Sequence, residues 1–176
     1  MQLIISTRDQ VLTRYGNQLA ALGEGQARAA LSRALNHEGD KGRTQVKRVL
    51  VKQTGIKYSA VNKAMATVRS TPATLTYTLK ARGDETNIAW FNGVQRCKGV
   101  SAAPWNKRRI FARSFIVPRF GHAFIRTSKK RLPMRQLYGP NLARELVKDS
   151  SEGAWRSGVV NIVARVGHEI GRMLPR

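Results

Sequence analysis

The chain has 176 residues and 41% hydrophobic content, enough to bury a core in one domain-sized unit. A single cysteine, Cys97, excludes an internal disulfide and a cysteine-rich metal site, so stability must come from packing or from partner subunits. Lys and Arg number 32 against 10 Asp and Glu, a formal +22 at which self-repulsion favours counter-ions or an acidic partner.

The charge is unevenly spread. Between Asp40 and Glu145 stand 23 Lys and Arg with only Asp84 and Glu85 as acids, leaving +21 there and +1 in the flanks together. That distribution predicts a folded basic surface rather than a detachable tail, as contact with nucleic acid or acidic protein requires. A solvated basic surface with no partner is the simpler alternative. The opening MQLIISTRDQ has no positive n-region before an apolar stretch, and no window reaches the roughly 18 apolar residues of a membrane span. A soluble protein without a signal peptide is expected.

Taken in chain order, apolar or small residues recur at helical spacing from Ala27 through Ala30, Leu31, Ala34 and Leu35 to Val46, Val49 and Leu50. A long amphipathic helix over about 26–51 follows, with Gly39 and Gly42 as a possible kink. Its second half presents Lys41, Arg43, Lys47, Arg48 and Lys52 as a solvent-facing basic surface with no acid to compensate. Ser59 is expected to cap a short helix from Ala60 to about Ala66. The period then changes to two. Leu75, Tyr77 and Leu79 alternate with Thr76, Thr78 and Lys80, a turn at Gly83-Asp84-Glu85 precedes a strand over Asn87 to Phe91, and another runs from Val94 to about Ser101. Arg108 to Val117 and Phe120 to Arg126 read as two strands with Pro118 in their connection, completing an antiparallel sheet over about 67–126. Basic clusters fall at strand ends and turns, as in Lys107-Arg108-Arg109 and Lys129-Lys130-Arg131. Helix returns around Asn141 to Lys148 and again from Glu152 to Met173, with Ser151 as N-cap and an apolar stripe of Trp155, Val159, Ile162, Val163, Val166, Ile170 and Met173. The class is α+β: an antiparallel sheet packed with a long N-terminal and a long C-terminal helix, in one domain.

Catalytic signatures are sparse. Metal-dependent phosphodiester chemistry needs converging carboxylates, and the basic region has two. His37, Glu38 and Asp40 form a ligand-like cluster, but within one helical turn they cannot all face one point. His122 and His168 have no acid or nucleophile nearby in sequence. Neither a G-x-x-x-x-G-K-[ST] loop nor a G-x-G-x-x-G turn occurs, and Cys97 has no assigned base. No catalytic residue, metal or cofactor is expected. Trp90, Phe91 and Trp105 lie near basic residues and could stack bases, although core positions are the commoner place for aromatics in a sheet.

The segment ALSRALNHEGDKGRTQVKRVLVKQTGI, with FARSFIVPRFGHAFIRTSKKRLPMRQLYGPNLARELV, resembles the prophage minor tail protein Z family of long-tailed phages. Its most specific part is Arg131-Leu132-Pro133 followed by Leu137-Tyr138-Gly139-Pro140, beside the Phe111 to Arg126 segment in which Ser114 stands where the family often has glycine. The resemblance implies a non-enzymatic virion protein that completes the tail at its head-proximal end around the DNA path, after assembly in the host cytoplasm. Implied partners are the tail terminator, head-completion or connector proteins, further copies in a homo-oligomeric ring, expected to be a hexamer, and genomic DNA contacted without sequence preference. The residues alone leave open a cellular basic nucleic-acid-binding protein of ribosomal or nucleoid type, or a nuclease with an unrecognised site.

Overall fold

The amphipathic run at the start becomes helix α1, Glu24–Thr54, in a computed structural model that describes residues 2–6, 15–18, 20 and 23–173. Its stripe of Ala27, Ala30, Leu31, Ala34, Leu35, Val46 and Leu50 is buried, and the helix passes through Gly39 and Gly42 without a break. Close packing explains both glycines. A Cβ on Gly39 would lie 2.6 Å from the Tyr77 ring, and one on Gly42 would lie 2.9 Å from Trp155 and Val159. Approach of the neighbouring elements thus offsets the roughly 1 kcal/mol that each glycine costs in helix propensity.

By internal contacts the chain, read from its sequence as one domain, divides into two units: Met1–Val49 with Met65–Ala81 and Leu146–Arg176, and Leu50–Ala64 with Arg82–Glu145. In the first unit, β1 (Gln2–Ser6), β2 (Met65–Val68) and β3 (Thr76–Ala81) form an antiparallel sheet in the order β1-β3-β2. Tyr77, Thr78 and Leu79 of β3 are all buried, so the alternation seen in the sequence does not separate a wet face from a dry one there. The C-terminal helix begins at Asp149 and is interrupted at 159–161, giving α4 (Asp149–Gly158) and α5 (Ile162–Gly171). Ser151 lies buried inside α4 rather than capping it, and Lys148 occupies the N-cap position without a side-chain capping bond to the helix N-terminus. At the interruption, a Cβ on Gly158 would come within 2.5 Å of Gly42 Cα, so α4 ends against the backbone of α1. Val166 and Ile170 of α5 pack with Ala27, Ala30, Leu31 and Ala34 of α1, and the Tyr77 and Trp155 rings meet at 6.0 Å.

The second unit holds the last turn of α1, the short helix α2 (Tyr58–Ala64) and three small antiparallel sheets. Helix α2 starts two residues before the expected Ala60, because the Lys57 carbonyl accepts the Ala60 and Val61 amides in its first turn. The expected strand over Asn87 to Phe91 is instead β4 (Glu85–Asn87) followed by a 3-10 turn, Ile88–Trp90, since the Asn87 side chain accepts the Ala89 amide and curls the chain. The run from Val94 to Ser101 is a hairpin, β5 (Val94–Arg96) and β6 (Gly99–Ala102), with Cys97 exposed in its turn. Gly99 has φ +139°, and a Cβ there would meet the Phe111 carbonyl oxygen at 2.0 Å. The run from Arg108 to Val117 divides at Arg113, whose φ of 59° turns the chain between β7 (Arg109–Ala112) and β8 (Ser114–Val117), strands of different sheets. Ser114 anchors that corner: its hydroxyl oxygen accepts the Val100 amide at 2.9 Å and donates to the Phe111 carbonyl. β9 (His122–Arg126) pairs with β8 and with β10 (Met134–Gln136) in the order β10-β9-β8. The segment after Pro133 is therefore strand before helix, with β11 (Tyr138–Asn141) on β4 and only then α3, Leu142–Leu146. The single sheet expected over 67–126 is thus four small ones, while the α+β class with a long N-terminal helix and a C-terminal helix holds.

Candidate polyanion-binding surface

Five cations of α1 were expected to form one solvent-facing surface, and they do not. Lys41, Arg48 and Lys52 are exposed, but Arg43 is half-buried with its Nε lacking a hydrogen-bond partner, and Lys47 is only 5% exposed. Helical rotation explains the difference. Lys47 follows Val46 and precedes Leu50 by three residues, so it falls within the apolar stripe. Burial, and then the neighbouring Arg43, lower the Lys47 pKa, while Asp40 pulls it the other way. Nor is the helix without compensating acids. Glu38, itself buried, accepts Lys41 Nζ at 2.8 Å and contacts His37 Nδ1 at 2.9 Å. Asp40 accepts Arg69 Nη2 at 2.7 Å and the Tyr77 hydroxyl at 2.9 Å. Burial, then that bond to Asp40, hold the Tyr77 phenol above its ordinary range. Asp40 thus turns to Arg69 and Tyr77 and away from the His37–Glu38 pair, and among the described residues no group of three His, Cys, Asp or Glu could hold a metal ion.

The second unit differs in kind. It carries 17 Lys and Arg against Asp84, Glu85 and Glu145. All 17 are exposed, and among the described residues none is in an ion pair. Lys107, Arg108 and Arg109 lead into β7; Arg108 Nη1 donates to Ser101 Oγ at 3.2 Å, and Arg109 lies 5.9 Å over the Trp105 ring. Lys129, Lys130 and Arg131 stand exposed on the β9–β10 connection. Lys129 shares a groove of about 360 Å³ with Arg113 and Arg126, which the sequence did not single out.

The remaining motif residues divide between exposed and buried positions. A cis peptide joins Leu132 to Pro133, Leu132 is 60% exposed, Leu137 is half-buried and Tyr138 is exposed. A Cβ on Gly139 would meet the Phe91 ring at 2.9 Å, and the carbonyl of buried Pro140 accepts Thr86 Oγ1 at 2.7 Å. The three aromatics singled out divide. Phe91 is buried, and Trp105 is half-buried with its indole N–H donated to the buried Glu145 carboxylate at 3.1 Å, which Gln53 also approaches. Trp90 alone is open, at 65% exposure.

Trp90 heads a row of rings. Its edge meets His122 at 6.3 Å, His122 neighbours Phe124 at 6.5 Å, Phe124 stacks with Phe115 at 6.3 Å, and the Arg126 guanidinium lies 5.2 Å over Phe115. Register makes the row: Phe115 opposes Phe124 and Val117 opposes His122, so His122, Phe124 and Arg126 share one face of the β8-β9-β10 sheet with Phe115. Buried Asn87 fastens the two ends, its Oδ1 accepting both the Ala89 amide beside Trp90 and the Ala123 amide in β9. The period-two pattern of HAFIR carried this signal, but only the pairing with β8 brings Phe115 beside it. No helix among the described residues is long and apolar enough to cross a membrane. No protein-family model matches the chain, and no characterised protein or solved structure proves similar to it.

Proposed function

We propose that the chain is a non-enzymatic structural protein of a long-tailed phage virion, completing the tail at its head-proximal end and helping join it to the head around the DNA path. The quoted segments that resemble the minor tail protein Z family support the placement. The observation that carries the contact chemistry is the second unit's 17 exposed cations, none of them ion-paired among the described residues. Such a surface suits the phosphates of DNA or the carboxylates of a neck protein, and a homo-oligomeric ring, a hexamer in this reading, would line the path with repeated positive charge. Neither metal nor cofactor enters this role. A cellular nucleic-acid-binding protein of ribosomal or nucleoid type is the second reading, favoured by the row from exposed Trp90 to half-buried Phe115, which a purely electrostatic collar has no use for.

Deletion of the gene from a phage that carries it tests the proposal. Full heads and unattached tails should accumulate, and a copy with Lys107, Arg108, Arg109, Lys129, Lys130 and Arg131 changed to Gln should fold yet fail to rescue. Infectious particles at normal titre without the chain would sink the virion role and leave the cellular reading.

A further inference from the structure

We propose that the outer face of the β8-β9-β10 sheet is a binding platform for single-stranded nucleic acid, on which the Trp90, His122, Phe124 and Phe115 rings stack bases while Arg113, Arg126 and Lys129 hold phosphates. The inference goes beyond the virion role and holds whether the chain acts in a phage neck or a cell, because it rests on this sheet face alone.

Three observations converge. The first is access: Phe115, Val117, His122, Phe124, Arg126, Met134 and Gln136 share the face, Arg126 and Met134 exposed and the other five half-buried. An ordinary sheet would cover such a row with a helix or a second sheet. The second is charge. From Thr86 to Arg144 the chain contains no acid at all, and the groove at the Phe115 end is lined by Arg113, Arg126 and Lys129 with the Ser114 and Ser128 residues. The third is rigidity, since Asn87 ties the turn that carries Trp90 to the strand that carries His122 and Phe124. Rings held in place lose little freedom on binding.

These features select among polyanions. A carboxylate-rich peptide would satisfy the cations and leave the rings unused. A duplex keeps its bases stacked inside, out of reach of a flat sheet face. A single strand uses both: unstacked bases lie on rings, and phosphates reach guanidinium groups at their edges. Arg126 is suited to the boundary, because a guanidinium stacked over Phe115 keeps its in-plane N–H donors free for phosphate.

The test is fluorescence anisotropy on the full chain with a labelled oligothymidylate of about 12 nucleotides, within the usual footprint of such surfaces. Comparison ligands are an abasic strand of equal length, a duplex of equal length and polyglutamate. The base-bearing strand should bind about tenfold or more tighter than the abasic one, as stacking on even one ring implies. Phe115→Ala with Phe124→Ala should erase that preference. Trp90→Ala should erase part of it, and the 65% exposure of this ring makes a loss by unfolding the wrong explanation. Arg113→Gln with Lys129→Gln should weaken both strands alike and flatten the salt dependence. Equal binding of abasic and base-bearing strands would overturn the platform, as would tighter binding of the duplex or of polyglutamate. The virion proposal would survive any of these results.

Discussion

The two units handle charge in opposite ways. The first holds 15 Lys and Arg against seven acids, and Glu24, Glu38, Asp40, Glu152 and Glu169 are each in an ion pair with a neighbouring base. Several of these pairs are tied into the core: Glu38 and Glu169 are buried, and Asp40 reaches the buried Tyr77 hydroxyl. The second unit holds 17 against three, with every cation exposed and the buried acid Glu145 bonded to an indole. Acids in the first unit thus belong to its fold, whereas the second unit's cations are exposed and, among the described residues, not ion-paired. A net charge alone would have hidden that division.

The largest effect that separates the units should come from the first unit's core. Val166 is fully buried among Ala27, Ala30, Leu31, Ala34 and Ile170, an apolar cluster in which a carboxylate would lose its hydration. Val166→Asp should therefore destabilise by about 3–5 kcal/mol, read as a lowered denaturation midpoint. Ile162→Asp should cost less, because Ile162 is only half-buried at the start of α5. Equal midpoints for Val166→Asp and the wild type would mean that α5 does not pack on α1.

A smaller effect belongs to Gly39. In an exposed helix Gly→Ala stabilises by up to about 1 kcal/mol. Here the added methyl would lie 2.6 Å from a buried tyrosine ring, so the sign should reverse to a loss of about 1–3 kcal/mol by overpacking. A gain in stability would show that the ring gives way freely and that the contact does not set the helix-to-sheet distance.

Legibility in the sequence followed the range of the interactions. Period and apolar spacing gave away α1 and the C-terminal helix, because a stripe along one helix is written in one stretch of chain. The same reading failed for Lys47, where membership of the stripe depends on one residue of rotation and its long stem lets a cation lie along apolar surface. In the second unit, boundaries were lost wherever a side chain or an unusual φ decides the path: Asn87 curling the 3-10 turn, Arg113 splitting a run of strand residues, Gly99 fitting against Phe111. The basic clusters at 107–109 and 129–131 could be read directly. The aromatic row could not, since Trp90, His122 and Phe115 become neighbours only through the β8-β9 register and the Asn87 bonds.

The smallest expected effect on stability is also the one that defines the second unit. Changing Lys107, Arg108, Arg109, Lys129, Lys130 and Arg131 together to Gln removes six exposed cations that have no acidic partner among the described residues. Two of them make contacts that could resist: Arg108 bonds Ser101 Oγ, and Arg109 sits over Trp105. Exposed contacts of this type contribute about 0.5–1 kcal/mol each. Relief of like-charge repulsion acts the other way and is greatest at low ionic strength, where the screening length reaches about 30 Å at 0.01 M. The two effects should nearly cancel, leaving the six-site variant within about 1 kcal/mol of the wild type in dilute buffer. Their salt dependence, however, should differ. Raising salt screens the wild type's unpaired cations and should lift its melting temperature, while the variant, with less repulsion to screen, should respond less. A variant that loses several kcal/mol, or that keeps the full salt response, would place these side chains among the fold's own interactions and remove the contrast between the units.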